Sequence, residues 1–257
     1  MGLDDTTILA EEKEDMEKLL KKLKEESEKA GMSLNLKKTK IMTTRTLNEF
    51  ILDGTEIEIT SYHTFLGSVI TGDGYDHKEI NRRLSIRRMA RTKLEKIMKD
   101  RDVKRATKIK IAKTIIFPTV TYRSESWTVR KKEMKQIDAF ELWKWRRILR
   151  VPWTEKRTNL SVLEDVKPKI SLEATILRLK LCYFGHVMRA KKSLERDIML
   201  GQVAGQRKQG KPRMRWLDSI KEATGLRLED LRETVEERKK NCERWWKNRL
   251  GIENAQM

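Results

Sequence analysis

The chain has 257 residues, enough for one large domain or two small ones, and 38% of them are hydrophobic, so a core can form. It is equally 38% charged, with a mean hydropathy of −0.71 and a formal net charge of +19, which favours extended helical surfaces and a polyanionic partner, most simply nucleic acid. Two cysteines, Cys182 and Cys242, exclude a disulfide framework and fit a reducing intracellular compartment, nucleus or cytoplasm; no signal sequence and no run of ~18 apolar residues points to a membrane.

Charge is unevenly spread. Residues 1–31 hold 10 acids against 6 lysines, so the remaining 226 residues carry +23. Residues 11–30 read as a helix, because Met16, Leu19, Leu20 and Leu23 recur at helical spacing and Gly31 is placed to end it. In "SLNLKKTKIMTT", Leu34 and Leu36 alternate with polar residues, which predicts a short strand. "FILDGTEIEIT" carries Asp53-Gly54 between apolar runs, a hairpin signal, and "YHTFLGSVIT" reads as one further strand. Residues 76–149 read as helical, with breaks near Asp100–Asp102 and Pro118, and Asp76 with Glu79 fits a capping box. Within them, 77–113 holds 15 Lys/Arg against 4 acids. Pro152 ends that pattern. Ser171 is a candidate N-cap for a helix over 171–190, a basic loop "GQRKQGKPRMRW" covers 205–216, and a last helix is expected over about 228–249.

Two adjacent aspartates, Asp4 and Asp5, stand near the start. Alone, such a pair is most often a solvated turn or a helix start. In a two-metal phosphoryl-transfer site, carboxylates hold two divalent ions about 4 Å apart and so stabilise both attacking and leaving oxygens. Such a site needs at least one further carboxylate from another strand.

The order of motifs then becomes informative. Asp4 and Asp5 are followed by a helix, then Gly31, Asn35, Lys38 and Thr39, then Phe65-Leu66-Gly67. Farther on come "YRSESWTVRKKEMKQIDAFELWKWRRILRVPW", "LKLCYFGHVMRA" and "GKPRMRWLDSIKEATG". This succession resembles the C-terminal portion of the reverse transcriptases of non-LTR retrotransposons (LINE elements) of the RTE or BovB-like kind, and it covers nearly the whole chain. The resemblance implies an RNA-directed DNA polymerase: the end of the palm, the thumb and a C-terminal region. It assigns Asp4 and Asp5 to Mg²⁺ and places Lys38 near the leaving pyrophosphate, where an ammonium can neutralise charge or donate a proton. The sequence departs from the family where Gly2 and Leu3 stand for the Tyr-x of Tyr-x-Asp-Asp, and where the first catalytic aspartate has no counterpart. The expectation is a truncated polymerase, inactive alone, with Asp4 and Asp5 as orphaned ligands.

Other constellations have plainer alternatives. Around 80–99, Arg82, Arg83, Arg87, Arg88, Arg91 and Lys93 surround an apolar stripe, which fits a helix laid along a phosphate backbone, or a solvated basic face. In the resemblance this is the thumb that holds the primer–template duplex. Seven tryptophans include Trp143 and Trp145, two apart on a helix, so one is expected buried and one exposed. Unpaired bases could stack on such rings, though core packing accounts for most single tryptophans. Arg207, Lys208, Lys211, Arg213 and Arg215 could take phosphates, with Trp216 stacking or anchoring. Cys182 and His186 have chelating spacing but lack two further ligands, so packing is the expected role. Phe65 and Leu66 are expected in the core.

The overall expectation is an α+β, mostly α-helical chain: an incomplete reverse-transcriptase palm at 1–75, a helical thumb-like region at 76–152 and a basic helical region at 153–257. Expected partners are RNA, DNA and RNA–DNA hybrids. A stand-alone nucleic-acid-binding module and a relic product with no selected role are the alternatives.

Overall fold

The structure, a computed structural model, describes residues 6–44, 46–89, 96–190, 192–201 and 214–237, with the side chains of 87–89, 234 and 236–237 excepted. Its fold is α+β and mostly helical. The chain divides into two compact units, Met1–Glu79 and Ile80–Met257.

In the first unit, α1 (Lys13–Lys29) ends as its sequence predicts. Gly31 takes φ 74°, and the amides of Gly31 and Met32 donate to the carbonyls of Glu28 (3.0 Å) and Ser27 (2.8 Å), the paired bonds of a Schellman motif. Leu20 is buried, whereas Leu19, expected on the same face, is exposed. The strand predicted over 34–42 shrinks to β1 (Lys40–Ile41). Asn35 is the reason: its side chain accepts from the Lys38 amide (3.2 Å) and its carbonyl from the Thr39 amide (3.0 Å), which closes a turn.

The Asp53-Gly54 hairpin forms as expected. β2 (Ile51–Leu52) and β3 (Thr55–Glu56) pair antiparallel, with φ of 49° at Asp53 and 74° at Gly54. β4 (Glu58–Ile59) runs parallel to β1. "YHTFLGSVIT" is a second hairpin rather than one strand: β5 (Tyr62–Phe65) and β6 (Ser68–Thr71) are joined by Leu66 and Gly67 at φ 47° and 76°. Both turn residues are left-handed, a geometry that leucine rarely adopts, so the sequence hides it. Leu66 is therefore exposed at the turn, not in the core, and Phe65 is half-buried. The core here is Leu20, Ile41, Phe50, Leu52 and Ile57. The described strands form three two-stranded ribbons, and no polymerase palm is identified in them.

Within the first unit Glu79 accepts the Val69 amide at 2.9 Å. The second unit is helical; α2 (His77–Met89) begins just after Asp76 and supplies its first residues from Ile80 on. The predicted break at Asp100–Asp102 is present, and the one around Pro118 falls just past the proline, where residues 121–130 carry no α-helix. Before it, α3 (Arg105–Ile111) passes through a π turn (Ala112–Ile116) into a helical turn (Phe117–Val120). Proline lacks an amide proton and its ring crowds the carbonyl four residues back; the widened turn, with Phe117 N donating to Ala112 O, accommodates it. Then follow α4 (Lys131–Leu149), α5 (Asn159–Val166), α6 (Leu172–Arg189), α7 (Leu194–Leu200), α8 (Trp216–Thr224) and α9 (Leu228–Glu237). Ser171 caps α6 by accepting from the Ala174 amide at 3.1 Å.

One apolar cluster runs from Ile80 to Ile176, continuous across Pro152. Trp145 lies at its centre, fully buried, edge-on to Phe117 at 5.1 Å. Its indole donates to Glu141 (3.1 Å), and the second carboxylate oxygen accepts the Leu172 amide at the start of α6 (2.7 Å). A second cluster gathers Leu181, Phe184, Leu217, Ile220, Leu231 and Val235. No described helix is long and apolar enough to cross a membrane.

Candidate nucleic-acid interface

The division of the chain sharpens its charge asymmetry. Residues 1–79 contain 11 Lys/Arg against 17 Asp/Glu; residues 80–257 contain 47 against 22. The first unit is thus net acidic and the second carries +25. A phosphate backbone would be drawn to the second unit.

α2 brings the first basic cluster onto a helix anchored by buried Ile80 and Leu84. Arg83 is itself buried, with its guanidinium 4.7 Å from the Tyr122 ring centroid. Arg82 is half-buried on the same helix. Arg87 and Arg88 lie on α2 with side chains outside the described residues, and Arg91 lies outside them altogether, as do Arg207, Lys208, Lys211 and Arg213.

The end of the basic loop departs from expectation because Trp216 opens α8. Arg215 is the residue before it, its amide bonded to the Asp218 carboxylate at 2.6 Å and its side chain exposed. The Trp216 indole donates to the Glu125 carbonyl (2.8 Å), meets Tyr183 edge-on at 5.9 Å and has the Lys180 ammonium 4.9 Å from its centroid. That side chain anchors α8. Lys180, nearly fully buried, donates to the Trp216 carbonyl at 3.2 Å and to the Ser219 hydroxyl, joining α6 to α8.

Trp145 is buried as expected, but Trp143, expected to be exposed, is half-buried and packs against the same core beside Phe140. The Arg147 guanidinium sits 5.6 Å from the Trp143 centroid. Cys182 is half-buried and His186 exposed on α6. Three carboxyls gather on these helices, Glu141 buried, Asp138 half-buried and Glu173 exposed. Burial pushes Glu141 up from its ordinary value, opposed by the Leu172 amide and the Trp145 indole, and desolvation also raises Asp138 and Glu173. The Glu141 bond to the Leu172 amide braces α4 against α6.

Of the residues assigned to catalysis, Lys38 is exposed at the Asn35 turn of the acidic unit, while Asp4 and Asp5 lie outside the described residues. Among the described residues, no group of three or more His, Cys, Asp or Glu could hold a metal ion. What the sequence reading passed over is the segment after α4, where Trp153 is 91% exposed. Pro152, which takes Trp153 off the helix, was the available signal.

Compared with known proteins, the chain is 24% identical over 243 residues to an uncharacterized transposon-derived protein of Caenorhabditis elegans, covering 88% of this chain and 85% of that protein. No family model matches the chain. No solved structure matches it.

Proposed function

We propose that the chain is transposon-derived, the C-terminal portion of a LINE-type (RTE/BovB-like) retrotransposon reverse transcriptase, and that by itself it binds RNA, DNA and RNA–DNA hybrids through their backbones. The observation that carries the binding reading is the concentration of +25 on residues 80–257. The retrotransposon reading is supported by the ordered motifs from Asp4 to Gly225 and by a transposon-derived relative aligned over most of both chains.

In the complete polymerase this reading assigns Asp4 and Asp5 to Mg²⁺, which would assist attack of a primer 3′-hydroxyl on the α-phosphate of a deoxynucleotide, with Lys38 beside the departing pyrophosphate. These 257 residues supply no third carboxylate for that task by motif. The purified chain is therefore expected to extend no primer, and template-dependent incorporation would overturn that expectation.

Binding has its own test. Counterion release makes log affinity fall with log salt in proportion to the phosphates neutralised. Arg82→Gln and Arg215→Gln are each expected to weaken binding of an RNA–DNA hybrid and to reduce the salt slope by about 1, independent of base sequence. Unchanged slopes in both would remove these arginines from the interface.

A further inference from the structure

Trp153 is the most exposed large hydrophobic side chain among the described residues, at 91%. A tryptophan left in water forgoes the burial of about 200 Å² of surface that the ring could have gained in the core. Here the surrounding segment is firmly built. α4 closes with Arg150 in the left-handed region (φ 58°), and Lys156 is left-handed too (φ 46°), both conformations that a residue with a Cβ adopts at a cost. Between them Pro152 leads into a 3-10 turn, Trp153–Glu155, closed by the Glu155 amide on the Pro152 carbonyl at 3.2 Å.

Arginines tie the segment down from both sides. Arg150 donates to the carbonyls of Lys99 (2.6 Å) and Asp100 (3.1 Å). Arg146 donates to the Arg157 carbonyl (2.6 Å) and the Asn159 side chain (3.0 Å). Arg157 holds Asp165 at 2.8 Å, and Thr158 caps α5 through the Ser161 amide at 3.2 Å. Carbonyl partners position Arg146 and Arg150 without neutralising them. Residues 146–157 include five Lys/Arg and one acid, Glu155.

We propose that Trp153 is a stacking platform for an unpaired base of single-stranded nucleic acid, its rigid 3-10 turn set among the cations of residues 146–157 that take the flanking phosphates. The inference rests on the nucleic-acid reading above and adds to it a specific contact. A flat indole accepts any base by its face, so the contact is indifferent to sequence. With Arg157 paired to Asp165, four cations still stand against Glu155, an excess that favours a polyanionic strand over a protein partner as the occupant.

The test uses the whole chain, a labelled oligouridylate and the same strand carrying abasic sugars, with binding read by fluorescence anisotropy at several salt concentrations. Trp153→Ala is expected to weaken oligouridylate binding by about tenfold, and Trp153→Phe to stay within about threefold of the parent. The salt slope should not change, because no phosphate contact is lost, and the abasic strand should not distinguish the variants. Equal affinity of parent and Trp153→Ala for oligouridylate, with the parent's salt slope steep, would overturn the stacking contact alone. An equal loss on the abasic strand would also overturn it. A flat salt slope or no binding by the parent would overturn both this contact and the nucleic-acid reading. Loss of self-association in Trp153→Ala, with strand affinity unchanged, would assign the ring to a protein interface instead.

Discussion

Among the described residues of 1–79, α1 and the ribbons β1–β4 and β2–β3 share a cluster of five buried apolar residues, whereas those of 80–257 enclose two larger clusters, the first running from Ile80 to Ile176. Their charges have opposite sign. In the first unit the order comes from turns: Asp53-Gly54 and Leu66-Gly67 each fix a hairpin register that the short strands could not hold alone, and the Asn35 turn leads into β1. In the second it comes from side-chain packing, with Glu141 and Lys180 buried where they join helices. The comparison separates two duties. Residues assigned to polymerase chemistry belong to a small acidic unit held by turns. The residues proposed to grip a nucleic-acid backbone belong to a large, well-packed basic one.

The comparison can be sharpened by substitution. The largest effect is expected in the packed unit. Trp145→Ala removes a fully buried ring and its contact with Phe117, and should cost about 3–5 kcal/mol in denaturant unfolding. In the first unit the sensitive points are backbone ones. Gly72→Ala would set a Cβ 2.6 Å from the Thr43 carbonyl oxygen, and about 1–3 kcal/mol is expected. Gly54→Ala meets open space but keeps φ at 74°, so about 1 kcal/mol is expected by the same measurement. If Gly54→Ala proved neutral, the turn-based account of the first unit would lose support; a neutral Gly72→Ala would remove only the close approach to Thr43.

A smaller effect depends on pH. Burial raises the Glu141 carboxyl, so between the unfolded and folded values the native state binds more protons than the unfolded one. Stability from this group is complete below the unfolded value and falls as pH rises through the folded one. Glu141→Gln removes that dependence. The stability of the parent relative to Glu141→Gln should therefore decline from about pH 4 upward, as read by thermal unfolding across pH. A difference independent of pH would mean that Glu141 ionises in the folded chain as it does in water. Asp53 and Asp165 behave oppositely: a hydrogen bond from Lys24 lowers the one and from Arg157 the other, so both favour the folded chain less as pH falls.

Much of the fold was legible where a single residue carries a single mechanism. Gly31 ends α1, Asp53-Gly54 turns a hairpin and Ser171 caps α6, each as its chemistry dictates. The failures have equally local causes. Leu34 and Leu36 alternate as a strand would, yet the Asn35 side chain and carbonyl close a turn first. Leu66 adopts a left-handed turn that its side chain does not advertise, and Pro118 is absorbed by a π turn that no spacing rule announces, so the break falls just past it. The charge asymmetry of the candidate interface was visible from residue counts. The engagement of Arg83 with Tyr122 and of Trp216 with Glu125 was not, because each joins residues far apart in sequence. Trp153 looked like any other tryptophan until its exposure was known.

The central claim is that this chain is a backbone-gripping nucleic-acid binder. Its most direct test is the affinity of the whole chain for a labelled RNA–DNA hybrid across salt concentrations, with and without Mg²⁺. The account predicts tight binding at low salt, a steep linear fall of log affinity with log salt, and no effect of Mg²⁺ beyond its ionic strength. Absence of binding at low salt, or affinity flat with salt, would contradict it and leave the charge of residues 80–257 unorganised into a site.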